Sequence, residues 1–103
     1  MKALYDKVSE KDWQATVREI AKAYKWEDAC AWTRMYSPAG VPDLILVRPP
    51  RIIFVELKTE KGTVSEKQAY WGALLQSCPP VEYYLWRPSD VDRVHDILGE
   101  TEA

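Results

Sequence analysis

Two apolar segments lie almost end to end in the middle of this chain, DLILVR at residues 43–48 and IIFVELK at residues 52–58. Only Pro49, Pro50 and Arg51 separate them. A connection this short joins neighbouring antiparallel strands, because parallel strands need a crossover of about a dozen residues or more. The Pro pair also denies a helix across the junction. Both segments are rich in Ile, Val, Leu and Phe, which favour strands. The centre of the fold is therefore expected to be a hairpin, with the register of a turn symmetric about Pro49-Pro50; a longer turn would shift it. Around Pro49-Pro50, Asp43 falls opposite Glu56. Directly opposed residues share a face, with Cβ atoms about 4.5–5.5 Å apart. Strand alternation puts Glu56 and Lys58 on one face and turns Leu57 to the other.

The flanking segments supply the rest of a mixed α/β domain. Residues 9–25 read as a helix with Ser9 as N-cap and Asp12 in a variant capping box. Trp13, Val17, Ile20, Ala21 and Tyr24 form its buried stripe. Glu10 and Gln14 sit on or beside the N-terminal end of that stripe. Residues 29–36 read as a first strand, followed by a break at Pro38, Gly40 and Pro42. Ser65 to Gln68 is a capping-box pattern opening a second helix through about Ser77, and Pro79-Pro80 stops it. Residues 81–86 are a fourth strand. Ser89 is the expected N-cap of a last helix running to Leu98, with Gly99 as its stop.

At 103 residues the chain suits one domain. Hydrophobic residues at 47% and charged residues at 29% place it among ordinary globular chains. The net charge of −2 gives no global signature of a polyanion binder, so any nucleic-acid contact needs a local basic patch. No apolar run is long enough to span a bilayer, and the N-terminus lacks the apolar segment of a signal peptide. Cys30 and Cys78 read as buried free thiols of a reducing cytosol, with a disulfide as the alternative. A cytoplasmic protein is expected.

Two opposed carboxylates on apolar strands repel one another unless something positive sits between them. A hard divalent cation, Mg²⁺ or Mn²⁺, meets that need, since Mg²⁺ is often held by one or two carboxylates, water and a substrate phosphate. Asp43, Glu56 and the carbonyl of Leu57 are the candidate ligands. Lys58 is placed to orient or deprotonate a water, or to stabilise charge on a phosphate. The plainer alternative is a turn-capping Asp43 with an edge-strand ion pair between Glu56 and Lys58.

Taken together, "GVPDLILV", "IIFVELK" and "SEKQAYW" resemble the VRR-Nuc family (virus-type replication-repair nucleases) of the PD-(D/E)xK superfamily, in its stand-alone phage and bacterial type. Pro42-Asp43 matches the PD, and Glu56, Leu57 and Lys58 match the ExK. Ser65, Gln68 and Trp71 match a Ser-x-x-Gln-x-x-Trp stretch, and Glu10 and Gln14 match residues of the first helix. Lys25-Trp26 departs from the usual Gly-Trp. The resemblance implies a restriction-endonuclease-like α-β-β-β-α-β core over residues 9–98, with a mixed sheet flanked by helices. It further implies Mg²⁺ or Mn²⁺ dependence, Glu10 as a further metal ligand, a DNA substrate and a homodimer acting on branched DNA such as four-way junctions. Flaps, nicks and single strands fit the same residues. A non-catalytic nucleic-acid-binding or assembly module on this fold is the alternative from another class.

Gln68 is either the capping-box residue alone or also a positioner of water or phosphate. Lys61, Lys67 and Arg34 are the leading candidates for phosphate contacts, ahead of Lys7, Lys11, Arg48 and Arg51. His95, the only histidine, is expected on the last helix without a catalytic role.

Overall fold

The computed structural model describes residues 2–29 and 39–100. The elements run α1 (Lys2–Tyr5), α2 (Glu10–Ala23), β1 (Glu27–Ala29), β2 (Leu44–Arg48), β3 (Arg51–Leu57), α3 (Glu66–Gln76), β4 (Glu82–Trp86), a 3₁₀ turn (Pro88–Asp90) and α4 (Val91–Gly99). All four strands share one sheet in the order β1-β2-β3-β4. The first three are antiparallel and β4 joins β3 in parallel, reached through α3. This is the expected mixed sheet with helices around it. The short α1 was not expected. Most of the strand expected over residues 29–36 lies outside the described residues, where β1 contributes Glu27–Ala29.

The hairpin register is the one the turn requires. Leu44 pairs with Val55, Leu46 with Ile53 and Arg48 with Arg51. Alternation then splits the sheet into two faces. Leu44, Leu46, Ile53, Val55, Leu57 and Trp86 point to one side and are buried with Trp13, Val17, Ile20 and Ala21 of α2 and Val94 and Leu98 of α4. Each fully buried apolar side chain of this size contributes about 1.5–3 kcal/mol, so this face holds the domain together. The opposite face carries Glu56 and receives α3, which packs against the Tyr83 ring at Gly72. A Cβ at Gly72 would lie 2.9 Å from Tyr83 Cζ.

Polar side chains fasten the core at its ends. Trp13 Nε1 donates to the carbonyl of Trp86 at 3.0 Å, tying α2 to the end of β4. At the hairpin turn, Arg48 donates to the carbonyls of Tyr24, Leu98 and Glu100. Arg51 donates to those of Ile97 and Glu100 and forms a two-point ion pair with Glu82. Both guanidinium groups lie over the Trp26 ring, 4.7 and 5.0 Å from its centroid. Cations at the C-terminal end of α4 satisfy its orphan carbonyls and oppose its dipole. Arg48 and Arg51, weighed as phosphate contacts, are thus spent on fastening the last helix.

Smaller expectations are corrected too. Ser9 and Ser65 do cap α2 and α3, accepting from Asp12 N and Gln68 N. Ser89 is not an N-cap: it lies within the 3₁₀ turn, where its N–H donates to Glu60 Oε1 at 3.0 Å, and Asp90 precedes α4. Cys78 is a free thiol as expected, but exposed rather than buried. Cys30 lies outside the described residues. Trp86 is core, and His95 meets the Tyr24 hydroxyl on an exposed surface. Among the described residues no helix is long and apolar enough to cross a membrane.

Candidate active site

The site forms where β2 begins and β3 ends. Two features of the preceding loop deliver Asp43 there. Pro42 is fully buried, and Gly40 takes a φ of +91°, a left-handed conformation that costs L-residues with a side chain about 1–2 kcal/mol. Gly40 is also pressed against α3: a Cβ there would lie 2.5 Å from both the carbonyl carbon and oxygen of Lys67. That neighbour is backbone and cannot swing aside. Gly40→Ala is therefore expected to cost on the order of 3 kcal/mol, more than the torsional penalty alone. Urea titration of the two proteins checks this; equal midpoints would show that the loop and α3 separate readily.

Asp43 reaches the last residues of β3, its Oδ2 accepting from the N–H of Leu57 at 2.8 Å. Its carboxylate lies against that of Glu56, as the register requires. Glu56 is only 2% exposed, an unusual degree of burial for a carboxylate. Oε2 accepts from Gln68 Nε2 at 2.9 Å, while the buried Oε1 has no hydrogen-bond partner. Burial, followed by the charge of Asp43, pushes the Glu56 carboxyl up to about 8; Lys58 pulls it back, while Glu10 adds to the rise. In the metal-free protein the pair therefore keeps a proton to far higher pH than an isolated carboxyl group would.

Gln68 takes its expected capping role and also holds Glu56, a contact that neither expected role named. Its Oε1 accepts from the N–H of Ser65 at 2.9 Å, closing the capping box of α3. This fixes the orientation of the amide, so Nε2 must face Glu56. The N-terminal turn of α3 thus bonds one carboxylate oxygen and leaves the other buried without a hydrogen-bond donor. Tyr83, on the same sheet face, borders the pair. Its hydroxyl is pushed up to about 12 by burial and then by Glu56 and Asp43, so it stays neutral.

Lys58 follows β3, half-buried, and is close enough to lower the proton affinity of Glu56. The remaining candidates among the described residues are exposed. Glu10 is the first residue of α2 and exposed, not buried, although its charge is felt by Glu56. The expected set of Glu10, Asp43 and Glu56 does not close up: among the described residues, no three His, Cys, Asp or Glu side chains gather where they could hold a metal. The first position of a helix favours a solvated carboxylate, which keeps Glu10 outward. Lys61 is 82% exposed and paired with Asp6 at 3.3 Å. Lys67 is exposed on the first turn of α3, and Arg34 lies outside the described residues.

The bare Glu56 Oε1 and the opposed Asp43 carboxylate make a donor set suited to a hard cation, because uncompensated buried carboxylate charge is costly. Tyr83 is the site residue that sequence reasoning missed. Alternation along β4 could have found it, since Tyr83 shares the Glu56 face while Tyr84 and Trp86 take the other.

A mixed sheet of this topology, with an Asp at the start of one hairpin strand and Glu-x-Lys ending the next, defines a nuclease-type α/β domain. The model of the VRR-NUC domain family matches residues 1–87, and the chain belongs to that family. Among solved structures, one titled "VRR_NUC domain" superposes with a TM-score of 0.70 at 20% identity, covering 84% of this chain and 94% of that one. At that identity the likeness shows the fold. No curated protein matches the chain.

Proposed function

We propose that this protein is a metal-dependent nuclease that hydrolyses phosphodiester bonds in DNA. The observation that carries the reading is Glu56, a buried carboxylate with one oxygen bare and a second carboxylate against it. Two carboxylates held against each other, one of them buried, cost stability unless a proton or a cation sits between them, and only a cation gives the arrangement a use. Mg²⁺ or Mn²⁺ fits this donor set, with Asp43, Glu56 and the Leu57 carbonyl as ligands, while Glu10 stays outside it, exposed at the start of α2. When bound, the ion would activate water and neutralise charge on the phosphate.

The chain's own groups supply the remaining functions. Gln68 holds Oε2 of Glu56 and so leaves the buried Oε1 to face a ligand other than the amide. The Leu57 N–H holds Asp43 in place. The Lys58 ammonium stabilises the phosphate as water attacks phosphorus in line and the P–O bond to the leaving oxygen breaks. Exposed Lys67 and Lys61 lie close in sequence to Gln68 and Lys58 and offer phosphate contacts, Lys61 once it exchanges Asp6 for a phosphate. Branched DNA acted on by a pair of chains is the favoured substrate, on the strength of the sequence resemblance alone.

A cleavage panel tests the reading: four-way junction, flap, nicked duplex, single strand and RNA, each with Mg²⁺, Mn²⁺ or EDTA. At least one DNA structure should be cut with metal and none with EDTA. In parallel, Mn²⁺ should raise the thermal midpoint of the wild type. A protein that binds the junction but neither cuts it nor responds to metal would instead be a binding module on this fold.

A further inference from the structure

The segment that follows Lys58 is gripped by a residue with no part in the site as described above. Nη1 of Arg87 donates to three carbonyls of one short loop: Thr59 at 2.7 Å, Glu60 at 3.2 Å and Gly62 at 2.7 Å. The loop carbonyls thus converge on one cationic group, as they would on a bound ion. Arg87 is itself held, its N–H donating to Asp90 Oδ2 at 2.8 Å. The same loop is fastened a second time, where Glu60 Oε1 accepts from the N–H of Ser89 at 3.0 Å. Its own turn closes with the Gly62 N–H donating to the Thr59 carbonyl at 3.2 Å.

The loop matters because of what it lies against. The Lys58 N–H donates to the Trp86 carbonyl at 3.1 Å, which fixes the root of the lysine. Its stem runs beside Gly62: a Cβ on Gly62 would sit 3.6 Å from Lys58 Cδ and 2.8 Å from Thr59 Oγ1. Gly62 therefore neighbours the Lys58 stem, and Arg87 holds Gly62 in place through its carbonyl. A flexible four-carbon stem places its ammonium only as well as its surroundings restrict its rotamers.

We infer that Arg87 is a positioning residue for Lys58, acting through the loop of residues 59–62. The inference rests on the assignment of Lys58 to the cleavage chemistry, and its test separates the two. Arg87→Met removes the charge and the donors while keeping an apolar stem. Arg87→Lys restores an ammonium that can reach part of the carbonyl cluster. ¹³C relaxation of the Lys58 side chain in the full chain reads positioning directly, without any activity. It should show faster motion in Arg87→Met and an intermediate value in Arg87→Lys.

On the DNA structure that the wild type cuts, Arg87→Met should lower kcat on the order of 100-fold with KM little changed, the penalty for a misplaced catalytic group. Arg87→Lys should recover part of that loss. In a Lys58→Ala background, Arg87→Met should change kcat by less than about threefold, because the two residues act as one unit. Unchanged Lys58 motion in Arg87→Met would overturn the inference, and so would kcat losses that multiply in the double variant. Failure of both Arg87 variants to fold would do the same, by making the residue a general support. If the wild type cuts nothing while Arg87→Met still loosens Lys58, the positioning stands and the nuclease reading falls.

Discussion

Glu56→Gln is expected to make the metal-free protein more stable at pH 8 and to abolish its response to metal. The folded state holds the Glu56 proton up to about pH 8, against 4.5 for a free glutamate side chain. Over that window the native protein binds more protons than the unfolded chain, so stability falls as pH rises. The contribution is complete below the unfolded value and lost as pH climbs through the folded one. A neutral Gln has no such slope. It can still accept from Gln68 and can donate to Asp43 where the carboxylate repels it. The gain at pH 8 should be on the order of 2–4 kcal/mol, with little difference at pH 4.5. Urea titrations of both proteins in EDTA at pH 4.5, 6.5 and 8 give the comparison. Parallel pH curves would mean that burial at Glu56 is offset in some other way. Mn²⁺ should raise the midpoint of the wild type at pH 8 and leave Glu56→Gln where it was.

Lys58→Ala should have the largest effect on cleavage. Lys58 stands beside the carboxylate pair, and its side chain is half-buried rather than free in solvent. A fixed ammonium facing developing phosphate charge is worth about 10²–10³ in kcat. The loss should fall on kcat, with DNA affinity changed by no more than a single surface contact. Metal-induced stabilisation should survive, because Lys58 is not a ligand. Single-turnover cleavage with matched binding measurements separates these effects. Undiminished cutting by Lys58→Ala would trace the activity to a contaminating nuclease or to another site. Comparison with Glu56→Gln then tells ligand from phosphate-facing group: one variant loses the metal response and the other keeps it.

Much of this site was legible because it is built from local geometry. A turn symmetric about Pro49-Pro50, the shortest the gap allows, gives the observed register, and that register places Asp43 against Glu56. The capping box of α3 was likewise readable from Ser65 and Gln68. What could not be read was how one side chain divides its bonds. Gln68 was legible as a cap, but its bond to Glu56 was not, because that contact depends on α3 being laid across the sheet at that turn. Glu10 matched a motif position yet remains exposed, since its orientation depends on how far α2 leans toward the hairpin. Arg48 and Arg51 looked like any surface basic pair until α4 docked its carbonyls on them.

The sequence by itself determined the hairpin, its register, the face shared by Glu56 and Lys58, and the family of the chain. Strand alternation, turn length and helix capping act over a few residues and leave their mark in residue order. Only the tertiary structure decided that Glu56 is buried with one oxygen bare, that Tyr83 borders the pair, and that Arg87 grips the loop beyond Lys58. Those facts arise from contacts between residues far apart in the chain. Desolvation and long-range hydrogen bonds depend on where whole elements come to rest, and no local spacing encodes that.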